Sequence, residues 1–305
     1  MADRRGVLQP FELTGPLRGL PESLDVSTWD GTVEPPADVL ELAELYVMPY
    51  TFSPVTGEVI ARMPRLRVVQ TLTAGYEHVL PHLRRGLTLC NARGVHDAST
   101  AELAVTLTLA SLRGIPDFVR AQGRAEWAYG ERSSLADRTV LVVGYGSVGA
   151  AVESRLLPFE CDVLRVARRA RDGVAGLEAL PSLLGRADVV VLTVPLTVQT
   201  RGMVDATFLA TMRDGALLVN VARGAVVDTS ALITELRRGR LYAALDVTDP
   251  EPPPPEHPLW SAPGLLISPH VGGNTTAFRP RAMRLVHDQL ARFAAGEPLA
   301  NVVVG

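Results

Sequence analysis

"VLVVGYGSVGAAVESRL" occupies Val140–Leu156, and its three glycines, Gly144, Gly146 and Gly149, decide how the chain is read. Four apolar residues lead into Gly144, after which Ala150, Ala151, Val152 and Leu156 recur at helical spacing, so the segment reads as strand, tight turn, helix. That is the opening βαβ unit of a dinucleotide-binding fold. The first glycine permits the sharp turn, the second lets backbone approach a pyrophosphate, and the third lets helix pack on strand. The N–H groups at the start of the helix, at Ser147 and Val148, then aim at the anion. The competing reading is a plain strand–turn–helix connection.

Length and composition fit that class. With 305 residues and 47% hydrophobic content the chain buries ample core but exceeds a comfortable single domain, so two domains are expected. A net charge of −3 gives no electrostatic footprint for nucleic acid. All 30 basic residues are Arg and Lys is absent, which removes Schiff-base and ammonium chemistry. Cys90 and Cys161 lie in apolar, strand-like runs without metal spacing, so they read as buried free thiols in a reducing cytoplasm, and no metal site is expected. The start, "MADRRGVLQPFELTG", breaks any apolar run with charge, Pro and Gly, and no long apolar span follows; the expectation is a cytoplasmic protein with no membrane partner.

Short apolar strands alternate with helical stretches almost throughout, which predicts parallel sheets covered by helices. The first third carries strands near Leu24–Thr28, Leu45–Met48, Leu66–Thr71 and Leu87–Cys90. A strand before these is poorly marked, because "GVLQPFELTG" contains Pro10 and no long β-branched run, and the first domain reads as trimmed. "AELAVTLTLASLRG" from Ala101 is apolar almost all round, the mark of a helix buried on several sides. After the glycine-rich unit come strands at Val163–Val166, Val189–Val194, Leu217–Val219, Tyr242–Leu245 and Leu265–His270, completing a six-stranded doubly wound sheet. Met283, Val286, Leu290 and Phe293 then mark an amphipathic helix that packs back onto the first domain. "DPEPPPPEHP" reads as stiff, extended chain beside a site.

The choice of dinucleotide turns on the end of the second strand of that sheet, where an NAD site places an acid about 20 residues beyond the glycines. Here the chain reads "VLRVARRAR": Ala167 takes the acid's place and Arg168 and Arg169 follow. Two guanidinium groups suit a 2′-phosphate, so NADP(H) is favoured and NAD(H) stays open; the competing reading is a solvated surface cluster. "VNVARGAVVD" puts Arg223 just after a strand, at the carboxyl end of the sheet, where a guanidinium grips a carboxylate and polarises an adjacent carbonyl. "LDVTDPEPPPPEHPLW" supplies carboxylates including Asp246 and Glu251, and "ISPHVGGNT" supplies His270 at another strand end. A carboxylate beside an imidazole fixes its tautomer and suits it to move a proton near neutral pH.

The order "GYGSVG", "NVARGAVVD", "ALDVTDPEP", "HPLW" and "SPHVGGNT" resembles the D-2-hydroxyacid dehydrogenases, which reduce 2-keto acids with NAD(P)H. "QTLTAGYEHV" and "NARGVHDASTAELAV" extend the resemblance over nearly the whole chain. The resemblance implies that Arg223 binds the keto acid, that Glu251 pairs with His270, and that His270 delivers the proton as hydride arrives. It implies further that Thr73, Ala74 and Gly75 hold the substrate carboxylate, that Asp246 binds the nicotinamide amide, and that Pro195, Thr200, Ala222 and Gly272 line the cofactor site. A Rossmann cofactor domain, 98–274, is then joined to a smaller flavodoxin-like substrate domain, 1–97 with 275–305, by hinges near Asp97 and Gly273. The nearest expectation is an NADPH-preferring glyoxylate or hydroxypyruvate reductase acting as a homodimer. A formate dehydrogenase resemblance is weakened by Glu251, where that relative has Gln, and a phosphite dehydrogenase one by the missing loop Lys. The alternative is a non-catalytic, dinucleotide-sensing corepressor-like protein on the same scaffold.

The other histidines, His78, His82, His96 and His287, lack ligand spacing and read as surface or helix-end residues. His257 and Trp260 fall beside the expected site, and Trp127 and Tyr129 read as fillers between subunits.

Overall fold

The computed structural model describes residues 4–51 and 53–305. In chain order the elements are β1 (Arg5–Gln9), β2 (Leu24–Thr28), α1 (Ala37–Leu42), β3 (Ala43–Val47), α2 (Val55–Glu58), β4 (Val68–Gln70), β5 (Thr88–Cys90), α3 (Asp97–Leu112) and α4 (Ile115–Gln122). They continue with β6 (Thr139–Val143), α5 (Ser147–Leu156), β7 (Asp162–Val166), α6 (Leu180–Leu184), β8 (Val189–Leu192), α7 (Ala206–Thr211), β9 (Leu217–Asn220) and α8 (Thr229–Arg237). The chain ends with β10 (Tyr242–Leu245), β11 (Leu265–Ile267), α9 (Phe278–Ala295) and β12 (Val302–Val304). Two compact units result. One comprises residues up to His96 together with Thr276–Gly305; the other is Asp97–Thr275.

The first unit is built on a six-stranded sheet of order β12-β5-β4-β3-β1-β2. All its pairings are parallel except β12 on β5, where Val302 faces Cys90 in antiparallel register. The weakly marked N-terminal strand is therefore present and internal. Four of its five residues, Gly6, Val7, Leu8 and Gln9, are buried, and Pro10 falls just beyond its last paired position. One face of the sheet packs under α9 through Ala282, Met283, Val286, Leu290 and Phe293, with Val7, Leu45, Val47 and Cys90 beneath them. The other buries Leu8, Tyr46, Val69 and Leu89 against Trp29, Leu40 and Ile60.

The second unit carries a wholly parallel six-stranded sheet of order β11-β10-β9-β8-β6-β7. Val140–Val143, Val189–Leu192 and Leu217–Asn220 are buried along their full lengths, as strands covered on both faces require. Chain order reverses between β6 and β8, so the crevice at their carboxyl ends is the topological switch point where such sheets bind ligands. Beyond β7, a further strand is reduced to one bridge, Val166 with Ala175. Helix α3 is buried through Ala101, Ala104, Val105, Leu107 and Thr108 and packs with Val152 and Leu156 of α5. Asp205 and Asp228 cap α7 and α8 by accepting N–H bonds from their first turns. Among the described residues no helix is long and apolar enough to cross a membrane.

Candidate functional site

The glycine turn between β6 and α5 has the shape that a pyrophosphate demands. Gly144 has φ +103°, and a Cβ there would stand 2.6 Å from Val194 N. A Cβ on Gly149 would stand 2.9 Å from Gly144 O, so this glycine allows α5 to close on the turn. Gly146 is different: a Cβ would meet nothing within 4 Å, because that side of the backbone faces open space. Two of the glycines are thus required by the packing of the turn, and the middle one is not. Gly146 caps α5 without a side-chain bond, leaving the amides of Ser147 and Val148 for an anion. Thr193 Oγ1 donates to Gly144 O at 2.9 Å and secures the turn from β8. These features fit a nicotinamide dinucleotide.

The loop that follows β7 beside the turn is basic. Arg168 and Arg169 are exposed on the loop after β7, and neither has a partner among the described residues. Pro195 is exposed, and its carbonyl accepts a 2.6 Å bond from Thr200 Oγ1, which closes the loop after β8.

At the end of β9 the chain makes a fixed turn. Buried Asn220 accepts from Ala222 N at 3.0 Å and donates through Nδ2 to Arg223 O at 3.0 Å. The Arg223 guanidinium donates to Ala222 O at 2.7 Å through Nη1. Gly224 must follow, since a Cβ there would lie 1.8 Å from Thr248 O. Arg223 is therefore presented at the carboxyl edge of the sheet by a turn that tolerates no change of path.

His270 stands two strands away, after β11, in the left-handed region with φ +52°. A non-glycine residue holds that conformation only when its surroundings impose it. Asp246, at the end of β10, does so. Its carbonyl accepts His270 N at 2.8 Å, and its buried carboxylate accepts Ser268 Oγ at 2.7 Å and the N–H groups of Val271 and Gly272 at 2.9 Å each. The His270 imidazole then meets Glu251 through Nδ1 in a short contact, with about a third of each side chain exposed. A carboxylate accepts only, so Nδ1 is the protonated nitrogen of the neutral ring and Nε2 is the unprotonated one. The segment holding Glu251 is not the extended chain that its prolines suggest, since it bends over residues 249–252 and turns at 255–256. His257 is bonded through Nδ1 to Leu259 N at 3.3 Å, and Trp260 Nε1 donates to Pro254 O at 2.9 Å, so both hold this loop.

In the first unit, Thr73–Gly75 form a loop whose carbonyls are taken and whose amides are not. Thr73 O accepts from Ala92 N and Thr71 Oγ1 at 2.9 Å, Ala74 O from Asn91 Nδ2 at 2.7 Å, and Gly75 O from Thr73 Oγ1 at 2.6 Å. The N–H groups of Thr73, Ala74 and Gly75 donate to nothing among the described residues. Consecutive N–H groups so arranged form a cradle for an anion. His96 departs from the expected surface role: it is 7% exposed, bonds Leu72 O at 2.7 Å through Nε2, and stacks on Phe278 at 5.3 Å between centroids. The thiols of Cys90 and Cys161 are both buried and unpaired. No trio of His, Cys, Asp or Glu among the described residues is grouped to hold a metal.

The sequence motifs named Arg223, Glu251 and His270 but passed over Asn220 and Ser268, which hold the first and the last of these in place. The signal was present: Asn220 is a polar residue at the buried end of an apolar strand.

Known proteins bear on the same residues. The model of the "D-isomer specific 2-hydroxyacid dehydrogenase, NAD binding domain" matches residues 105–272. A glyoxylate reductase of Thermococcus gammatolerans is 33% identical over 301 residues, covering 91% of this chain and 89% of that one. A D-3-phosphoglycerate dehydrogenase of Archaeoglobus fulgidus is 31% identical over 262 residues; that match covers 82% of this chain and spans about half, 49%, of the longer relative. Among solved structures, a D-isomer specific 2-hydroxyacid dehydrogenase of Xanthobacter autotrophicus Py2, in complex with NADPH and MES, superposes with TM-score 0.80 at 32% identity, covering 98% of each chain. The fold thus has close counterparts along nearly the whole chain, and the chain belongs to the D-isomer specific 2-hydroxyacid dehydrogenase family.

Proposed function

We propose that this chain is an NADPH-preferring 2-keto acid reductase of the glyoxylate or hydroxypyruvate type, working as a homodimer. The observation that carries the reading is the contact of Glu251 with His270 Nδ1, because a sensor needs the glycine turn but no oriented proton donor. When bound, the nicotinamide cofactor supplies the hydride. Arg223 binds the keto acid, and its guanidinium draws electron density toward the carbonyl oxygen. The amides of Ala74 and Gly75 add carboxylate donors, and Gly272 and Ala222 line the cofactor side.

As hydride reaches the carbonyl carbon, negative charge grows on its oxygen, and His270 delivers the Nε2 proton there. Glu251 stabilises the imidazolium that precedes delivery, and in the reverse direction the neutral ring accepts the hydroxyl proton. Arg168 and Arg169 take the 2′-phosphate, since Ala167 offers no acceptor to a ribose hydroxyl. Asp246, already occupied by Ser268, Val271 and Gly272, acts chiefly by holding His270, and its remaining acceptor capacity serves the nicotinamide amide.

The deciding experiment is oxidation of NADPH and NADH with glyoxylate, hydroxypyruvate, pyruvate and phenylpyruvate. Turnover with a small keto acid at higher kcat/KM for NADPH is expected. Tight cofactor binding with no turnover on any of the four would replace this reading with a dinucleotide sensor.

A further inference from the structure

Tyr145 stands between Gly144 and Gly146 in the cofactor turn, and its ring is held from both ends. Its hydroxyl donates to Glu153 Oε2, and its backbone N–H donates to Val166 O at 2.9 Å. Glu153 is 6% exposed and is paired with Arg165 Nη2, so the charge of that arginine is neutralised where it stands. The Arg165 guanidinium holds the Glu153 carboxyl below the usual carboxylate range, and the Glu153 bond pushes the Tyr145 phenol up.

Two guanidinium groups lie on this ring, Arg165 at 5.9 Å and Arg171 at 5.7 Å from its centroid. Arg171 also donates through Nη2 to Tyr145 O, the carbonyl at the centre of the glycine turn. Unlike Arg165 it has no carboxylate partner among the described residues. It reaches the turn because the loop after β7 doubles back: Arg171 and Val174 exchange both backbone bonds, at 3.0 and 2.8 Å, and Ala167 N meets Ala175 O at 2.9 Å. Residues 167–175 hold three arginines against one acid, Asp172, and all three arginines are exposed. An exposed, uncompensated guanidinium, lying over an aromatic ring at 5.7 Å from its centroid and tethered to the glycine turn, is placed for a dianion at the edge of that turn.

We propose that Arg171, seated on Tyr145, is a specificity-determining contact for the adenosine 2′-phosphate, and that the buried Glu153–Arg165 pair is a positioning device for the Tyr145 ring. The proposal rests on the NADPH reading above. It makes Arg168 and Arg169 auxiliaries to a third arginine whose place is fixed by the turn itself.

Calorimetric titration of the full chain with 2′-phospho-ADP-ribose and with ADP-ribose tests this without any hydride transfer. Wild type is expected to prefer the phosphorylated ligand. Arg171→Ala should lose about tenfold or more of that preference, with ADP-ribose affinity within about twofold. Arg171→Lys should recover part of it, because charge returns without the planar fork. Glu153→Gln should weaken the preference several-fold by releasing the ring, and its melting temperature is read alongside to confirm that the chain is folded. Absence of preference in wild type removes the NADPH reading and this proposal with it. Unchanged preference in Arg171→Ala, or equal loss for both ligands, overturns the role of Arg171 and leaves the NADPH reading standing. Unchanged preference in folded Glu153→Gln overturns the positioning role.

Discussion

Asp246 holds His270 by its main chain and the residues beyond it by its side chain. The His270 N–H donates to Asp246 O at 2.8 Å, while the N–H groups of Val271 and Gly272 meet the two carboxylate oxygens at 2.9 Å each. One buried acid therefore sets the backbone angle from which the imidazole projects. In Asp246→Asn an NH2 group must face one of the two N–H donors, leaving it unsatisfied at a cost of about 1–3 kcal/mol. The expected result is a lower unfolding free energy by that amount in urea titration, together with a kcat reduced by about tenfold or more. Wild-type stability with wild-type kcat would show that the clamp is dispensable.

The proton assignment predicts a split between rate and binding. His270→Asn should lower kcat by roughly 100-fold or more, with NADPH affinity within about twofold. Glu251→Gln keeps a bond to Nδ1 but withdraws the carboxylate charge that faces the imidazolium, so kcat should fall by about tenfold or more with NADPH affinity within about twofold. Wild-type kcat in either variant would assign the proton to another group.

The three glycines should fail in different ways when changed to alanine. Gly144→Ala meets Val194 N at 2.6 Å in a left-handed conformation, so it should cost about 2–4 kcal/mol of stability. Gly146→Ala meets nothing within 4 Å, so it should melt as wild type does and yet bind NADPH about tenfold more weakly. Equal melting temperatures for both variants would contradict the packing described at Gly144.

Burial pushes the Cys90 thiol from its ordinary 9.0 up to about 11. The sign follows directly: below the unfolded value both states hold the proton, and as pH climbs toward 11 the unfolded thiol ionises first, so stability from this group is lost. The stability gap between wild type and Cys90→Ala should therefore narrow by about 1–2 kcal/mol between pH 8 and pH 10.5, measured by urea unfolding. A gap independent of pH would mean that the thiol ionises equally in both states.

Trp127 and Tyr129, 93% and 94% exposed, flank a groove lined by Phe118, Ala121 and Ala125. Two large aromatics left in water beside an apolar groove fit the proposed homodimer. Light scattering should report a dimer for wild type, and Trp127→Ser with Tyr129→Ser should dissociate at protein concentrations at least about tenfold higher. A wild-type monomer would end that assignment.

What the sequence disclosed followed from periodicity and motif order. The parallel strands of the cofactor sheet read as unbroken apolar runs because both faces are covered, and Arg223, Glu251 and His270 each fell at a strand end or in a shaped loop. What it concealed depended on partners distant along the chain. β1 was poorly marked by Pro10 and its lack of a β-branched run, yet it lies between β2 and β3, where five residues suffice. His96 lacks any local pattern, and its burial is imposed by Leu72, Tyr50 and Phe278. Arg171 is two residues past Arg169 in sequence, but only the Arg171–Val174 hairpin brings it against Tyr145.

The antiparallel pairing of β12 with β5, and the lid that α9 forms over Val7, Leu45 and Cys90, bear on how the molecule is made. During translation Asp97–Thr275 leaves the ribosome with every strand of its own sheet present and is able to mature at once. The strands synthesised before it must wait, their apolar face uncovered, until Thr276–Gly305 emerges. The strands before Asp97 are consequently finished after the sheet that follows them in the chain, and they are the ones that chaperones would be expected to attend.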